Sequence, residues 1–356
     1  MIRSLLVLAA GAVAASIGLA GTGYAQGMLT LRDRLLIVSS NSTVMTATQL
    51  TGAFAERYQG VQRPDLRFAD TRPAMEFFCS GIGPETPDIA ILSRRMPATM
   101  RETCLENGVR DIVEVQIGLG AIVLATNRGD PTPELTTRQV YEAVAAERTV
   151  GEGFEPNRAV SWSQIDPHLP NMPIRVIVPA EGSSTRRFFE DLVLEAGCRY
   201  VRGIRLLFEA AYRRAKCITM RDDGAIVSAP LLDVAAVLLA SPPGTIGVVP
   251  LTDVTGSGGN LIALALDGVH PDAATVSSLD YEQTRAFFLY AKRQHSRNRS
   301  GIGVVRGIHE MLAEATSEAA FGPGGYLSNA GLIPLPPADR LAQRRIAERM
   351  TPMSSR

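Results

Sequence analysis

Short apolar runs rich in β-branched residues alternate along this chain with longer stretches whose apolar positions recur every three or four residues. The short runs, bounded by turn residues, predict strands at 35–38, 65–69, 88–92, 112–117, 121–126, 174–178 and 245–249. The helical period predicts helices at 46–58, 73–80, 98–107, 137–145, 183–196 and 232–240, with a terminal one at 339–350. Gly129-Asp130-Pro131-Thr132-Pro133 and Ser241-Pro242-Pro243-Gly244 punctuate the series. Alternating strands and helices argue for an α/β protein with parallel sheets covered on both faces. No internal repeat and no low-complexity linker is present, so crossing strands rather than a tether would join any two lobes.

The first 25 residues are of another kind. Arg3 supplies a positive start, Leu5 to Leu19 an apolar stretch, and Gly23-Tyr24-Ala25 a small-residue cleavage site near Ala25. This is the pattern of a secretory signal peptide, 1–25, and it predicts export to the periplasm. A retained anchor is the alternative, although the apolar stretch is shorter than the roughly 20 residues of a spanning helix. The remaining length suffices for two lobes, each with its own core. The 36 basic and 36 acidic residues cancel. Without a net field, nothing recruits nucleic acid or a membrane surface. Lys216 and Lys292 are the only lysines, and arginine suits oxyanion recognition better than lysine.

Cys79, Cys104, Cys198 and Cys217 are an even set in a chain with an export signal, which predicts disulfides. Of the three connectivities, Cys79 with Cys104 and Cys198 with Cys217 is favoured, because each pair is near in sequence and closes a local loop. Zinc is the alternative use, but no CxxC or HxxxH spacing appears.

Two segments carry the candidate chemistry. Val176-Ile177-Val178 runs as a strand through Pro179-Ala180-Glu181 into the turn Gly182-Ser183-Ser184-Thr185, and a helix follows. Leu35 to Val38 runs likewise through Ser39-Ser40 into Asn41-Ser42-Thr43, and again a helix follows. First-turn N–H groups lack intrahelical partners and lie at the positive end of the macrodipole, so both turns are suited to hold an oxyanion, with hydroxyls as further neutral donors. Ordinary N-capping explains either segment alone. Together they could close on one ligand.

In their order along the chain these motifs resemble the periplasmic phosphate-binding proteins of bacterial ABC importers, a family of type II solute-binding proteins. Ser40-Asn41-Ser42-Thr43-Val44 is similar to the first anion turn, and Gly182-Ser183-Ser184-Thr185 to that of the second lobe. Asp88-Ile89-Ala90-Ile91-Leu92-Ser93-Arg94 resembles the family strand that ends in a Ser-Arg pair. Leu135 to Tyr141, Ser161 to Ile165, Gly244 to Leu251 and Gly331 to Pro336 are similar to further landmarks. The resemblance implies a two-lobed α/β fold, with two mixed sheets flanked by helices and joined by crossing strands. Lobe one would comprise 28–120 plus 252–356, and lobe two 121–251. It implies inorganic phosphate, or a related oxyanion, as ligand and the membrane subunits of an ABC importer as partner. The expectation is a monomer that is not an enzyme, with no cofactor, no metal and no nucleic-acid partner.

The chain departs from the family pattern twice. Ala69-Asp70-Thr71-Arg72-Pro73 stands where many members have a glycine-rich turn, so side chains of Asp70, Thr71 and Arg72 would replace backbone donors. Pro179 stands where some members have Arg, which leaves Arg94 as first candidate for the cation and Arg72 as second. Phosphate at neutral pH retains a proton and sulfate does not, so a carboxylate in the site would favour phosphate. Asp70 and Glu181 are the candidates for it. The alternatives are pairing of Asp70 with Arg72, and of Glu181 with Arg186 or Arg187.

A rival from another class is a hydrolase with Ser183 or Ser184 as nucleophile. Glu181-Gly182-Ser183-Ser184-Thr185 lacks the second glycine of a nucleophile elbow, and His168, His270, His295 and His309 have no spacing that marks a base. A third reading keeps the fold but makes the protein a periplasmic sensor or adaptor.

Overall fold

The computed structural model describes residue 32 and residues 34–150, 153–296, 305–328 and 331–354; the expected signal peptide at 1–25 lies outside them. Eleven strands occur among the described residues: β1 Arg34–Ser40, β2 Gln62–Ala69, β3 Ile89–Leu92, β4 Ile112–Asn127, β5 Glu147–Val150, β6 Gly153–Pro156, β7 Val176–Pro179, β8 Ile226–Ala229, β9 Ile246–Pro250, β10 Leu261–Ala263 and β11 Thr284–Lys292. Nine of them form one sheet, eight along the hydrogen-bonded path β2-β1-β3-β11-β4-β9-β7-β8 and the ninth, β10, off that path beside β4. β5 and β6 form a separate hairpin.

β4 is the pivot of this path. Its residues Ile112 to Ala121 pair with β11, and Ile122 to Asn127 pair with β9 and β10. The sheet therefore divides into two halves that share a strand, one half in each lobe. β1 is parallel to β2 and β3, and β7 is parallel to β8 and β9. β4 and β11 run against their neighbours. Both halves are thus mixed, as the resemblance implied and not as strand–helix alternation alone would have it.

The pattern of residues splits β4 in two because Gly118 and Gly120 read as breakers. The strand runs through both. A Cβ at Gly118 would meet Leu332 and one at Gly120 would run into the ring of Phe287, so the glycines make room for side chains packed over the strand. β11 is absent from the sequence expectations because Arg285 and Lys292 look like surface charges. In the fold they are 4% and 0% exposed.

The residues after 251 keep pairing with the second half-sheet for a stretch. β10 pairs with the far half of β4, Leu135 bridges Leu266, and the Leu264 N–H donates to the Leu124 carbonyl. Residues after 251 therefore stay with the second half-sheet until β11 crosses back.

Five helices position the site: α1 Val44–Arg57, α2 Thr71–Phe78, α3 Ala98–Glu106, α4 Thr137–Val144 and α5 Ser184–Phe189. α5 continues through a wider turn, Glu190–Leu194, into Glu195–Cys198. α1 buries Leu50 and Phe54 with Leu35 and Ile37 of β1, and α5 buries Phe189 with Val176 to Val178 of β7. The disulfides join the expected pairs. Cys79–Cys104 ties the end of α2 to α3, and Cys198–Cys217 ties the end of the α5 stretch to helix Ala210–Ile218. Among the described residues no helix is long and apolar enough to cross a membrane.

Candidate anion site

Three helix N-termini meet between the lobes, each because a strand ends in a short polar turn. β1 ends at Ser40, and the tight turn Asn41–Thr43 opens α1. β2 ends at Ala69, and Asp70 caps α2 in extended conformation without a side-chain cap bond. β7 ends at Pro179, and Gly182, at φ +87°, turns the chain into Ser183 and α5. That left-handed conformation is one that glycine adopts without a Cβ penalty.

Ser42, Ser93 and Ser184 come from these turns and from the end of β3, and their hydroxyls close a ring. Ser42 donates to Ser93 at 2.7 Å, Ser93 to Ser184 at 3.3 Å, and Ser184 back to Ser42 at 2.7 Å. Ser184 belongs to the second lobe and the other two to the first. The acceptors of these three donors are one another, so all three can turn to an oxyanion without orphaning a buried carbonyl. Neutral hydroxyl–hydroxyl bonds would then be exchanged for charge-assisted ones.

Asp70 stands beside this ring. Its Oδ1 accepts from Asn41 Nδ2 at 2.9 Å, and its Oδ2 lies 3.5 Å from where a Cβ of Gly182 would be. A carboxylate of lobe one thus faces the glycine turn of lobe two. The buried Thr71 hydroxyl has no hydrogen-bond partner among the described residues. Arg94 follows Ser93, and its buried Nε likewise has none among them. Burial lowers the Arg94 pKa from its ordinary value, the guanidinium of Arg187 lowers it further, Asp191 opposes them, and Arg72 adds to the depression. Arg187 of the α5 turn and Arg72 of α2 therefore both repel the Arg94 guanidinium. An anion among them would relieve that repulsion.

Other expected residues do different work. The Thr43 hydroxyl donates to the carbonyls of Ser40 and Ile91 at 2.9 and 3.0 Å, so it locks the turn from inside. Ser183 Oγ accepts the Arg186 N–H at 3.1 Å and caps α5. Arg72 pairs with Glu76 one turn along α2, at 2.9 Å, instead of with Asp70. Arg186 pairs with Glu190 and donates to the Pro179 carbonyl. Glu181 is exposed, outside the ring, and takes no part in an ion pair among the described residues. Thr185 is fully buried and accepts from Arg285 Nη1 at 3.3 Å. Arg187 and Arg285 were missed as site residues. Only its place one turn into α5 marks Arg187 in sequence, and nothing marks Arg285.

No histidine ring hydrogen-bonds Ser183 or Ser184 among the described residues. His295 is buried against Asp88, and His168 is exposed beside Asp166.

A family model described as the PBP superfamily domain matches residues 21–296. Protein SphX of Synechocystis sp. is 24% identical over 311 residues, covering 85% of this chain and 78% of SphX. Among solved structures, one described as a possible phosphate binding protein from Planctomyces limnophilus superposes with a TM-score of 0.59 at 15% identity, over 90% of this chain and 99% of the other. An ABC-type phosphate transport receptor from Vibrio cholerae gives 0.56 at 14% identity, over 84% and 99%. At these identities the structural likenesses establish the two-lobed fold alone.

Proposed function

Because the chain belongs to the PBP superfamily, we propose that it is an exported solute-binding protein that captures inorganic phosphate between its lobes and delivers it to an ABC importer. One observation carries the reading: the hydroxyl ring of Ser42, Ser93 and Ser184 spans both lobes and meets three helix N-termini. Around it, Asn41, Thr71 and Arg94 are further donors, with Arg187 adding positive charge. Thr43, Gly182 and Ser183 hold the turns in shape. Asp70 accepts the proton that phosphate retains and repels an anion that has none.

Charge-assisted hydrogen bonds contribute roughly 1.5 to 3 kcal/mol each. Several of them, in a closed cleft of low dielectric, are enough for micromolar or tighter binding after the anion is desolvated. The phosphate-binding descriptions of solved relatives support the choice of ligand. The signal-like residues 1–25 support a periplasmic location.

Calorimetric titration of the mature protein with phosphate is the test. One site per chain is expected, weakened on the order of tenfold or more by Ser93→Ala or Ser184→Ala. Absence of binding at millimolar phosphate overturns the reading. Turnover of a phosphoester, lost in Ser184→Ala, would overturn it in favour of a hydrolase.

A further inference from the structure

Arg285 is the second residue of β11, the strand that returns the chain to lobe one, and it is 4% exposed. A guanidinium so deep is normally matched by a carboxylate, because an unpaired buried charge is costly. Here no carboxylate among the described residues forms an ion pair with it. Its Nε has no hydrogen-bond partner among the described residues, and its Cζ lies 5.6 and 5.3 Å from the ring centroids of Phe188 and Phe287. The carboxylate whose charge acts on it is Asp253. Burial pushes the Asp253 carboxyl up to about 6 and pulls the Arg285 guanidinium down to about 10, and each charge offsets the other only in part. Both line a cavity of about 400 Å³ together with Asn41 and Ser42 of the lobe-one turn.

The one hydrogen bond that the Arg285 side chain makes among the described residues goes to lobe two. Nη1 donates to Thr185 Oγ1. The Thr185 hydroxyl is fully buried and has no other hydrogen bond among the described residues, so its own proton has no acceptor. An oxygen that accepts from a guanidinium on one side turns its proton to the other. Thr185 is next to Ser184 of the ring, in the first turn of α5.

We propose that Arg285 is a positioning residue for the bound anion: it holds the Thr185 hydroxyl with its proton toward the cleft and sets a fixed positive charge behind the lobe-two turn. This rests on the phosphate reading above. It explains why an arginine is buried without an ion-pair partner, since the bound anion supplies the missing negative charge. It also restores from a crossing strand the positive charge that Pro179 leaves out of the second lobe.

The test is a double-mutant cycle read by calorimetry, with phosphate, arsenate and sulfate each titrated into wild type, Arg285→Met, Arg285→Lys, Thr185→Val and the Arg285→Met/Thr185→Val double variant. Arg285→Met and Thr185→Val are each expected to weaken phosphate binding about tenfold or more. The double variant is expected to be within about threefold of the weaker single one, because both changes remove one oriented donor. Arg285→Lys should recover part of the loss. The ligand-free melting temperature of Arg285→Met should equal or exceed that of wild type, since an uncompensated buried charge is gone. Wild-type affinity in Arg285→Met, or losses that multiply in the double variant, overturns the inference and leaves phosphate binding standing. A lowered melting temperature with no recovery in Arg285→Lys also overturns it, in favour of a structural role. If wild type binds another of these oxyanions and not phosphate, the ligand reading falls and the same cycle on that anion decides for or against Arg285. If it binds none, both fall.

Discussion

On the proposed reading, Asp70 is the residue that decides which oxyanion the site prefers. Its carboxylate is held by Asn41 and faces Gly182, so it can accept only from a ligand that still carries a proton. Asp70→Asn is expected to weaken phosphate by roughly ten- to a hundredfold, the loss of one charge-assisted bond, and to admit sulfate; competition titrations measure both. The residues that touch this region were partly legible in sequence. Ser42, Ser93, Ser184, Asp70 and Arg94 follow strand ends, where turn chemistry is readable. What sequence does not reveal is where a hydroxyl spends its proton. Thr43 and Ser183 look the same as Ser42 and Ser184, yet one is bonded to buried carbonyls and the other caps its helix. Arg285 was illegible for a related reason, because a buried arginine and a surface one have the same letter.

At the scale of elements, the two disulfides brace the helices that carry the anion turns. Cys79 ends α2, whose first turn holds Asp70 and Thr71, and Cys198 ends the helical stretch that opens at Ser184. Their sequence separations are 25 and 19 residues. Loops of that size predict about 3 kcal/mol of stabilisation from each bridge. Cys198→Ser/Cys217→Ser is therefore expected to lower the free energy of unfolding by about that amount in denaturant titration, with a smaller effect on phosphate affinity than Ser184→Ala. The helices that carry the site and the strands β1, β2, β3, β7 and β9 were legible because their apolar periods are clean, whereas the helices Ala210–Ile218 and Ile308–Ala315 and the short strands β5, β6, β8 and β10 were not read. β4 was split because glycine reads as a breaker, and only its packing against Leu332 and Phe287 shows the glycines to be spacers. β11 was lost because its flanking charges are buried, which a hydropathy pattern does not anticipate.

At the scale of the molecule, β4 and β11 join the lobes, and β11 ends in a buried lysine. Lys292 donates to the Gly81 carbonyl and to Thr86 Oγ1. Burial lowers its pKa from 10.5 to about 7, Asp88 opposing and Arg32 adding to the depression. Because the folded value is the lower one, the unfolded chain holds a proton that the native one lacks between about pH 7 and 10.5. Lys292 therefore makes unfolding free energy rise with pH across that window, by at most about 1.4 kcal/mol per unit, and below it the cost of burying the charge is fully present. Chemical denaturation of wild type and Lys292→Met across the window should show this slope in the first and its loss in the second. The two-lobe order was legible from the sequence of motifs, whereas the pairing of β10 with β4 was not, because the two strands lie far apart in the chain. On the proposed reading the hydroxyl ring of Ser42, Ser93 and Ser184 couples the two halves of the site to the anion, and so the central claim is best tested on the intact protein. The most direct measurement is calorimetric titration with phosphate and with sulfate, under identical conditions near neutral pH. The account predicts tight one-to-one binding of phosphate and little or no heat from sulfate; equal affinity for both anions, or binding of neither, would contradict it.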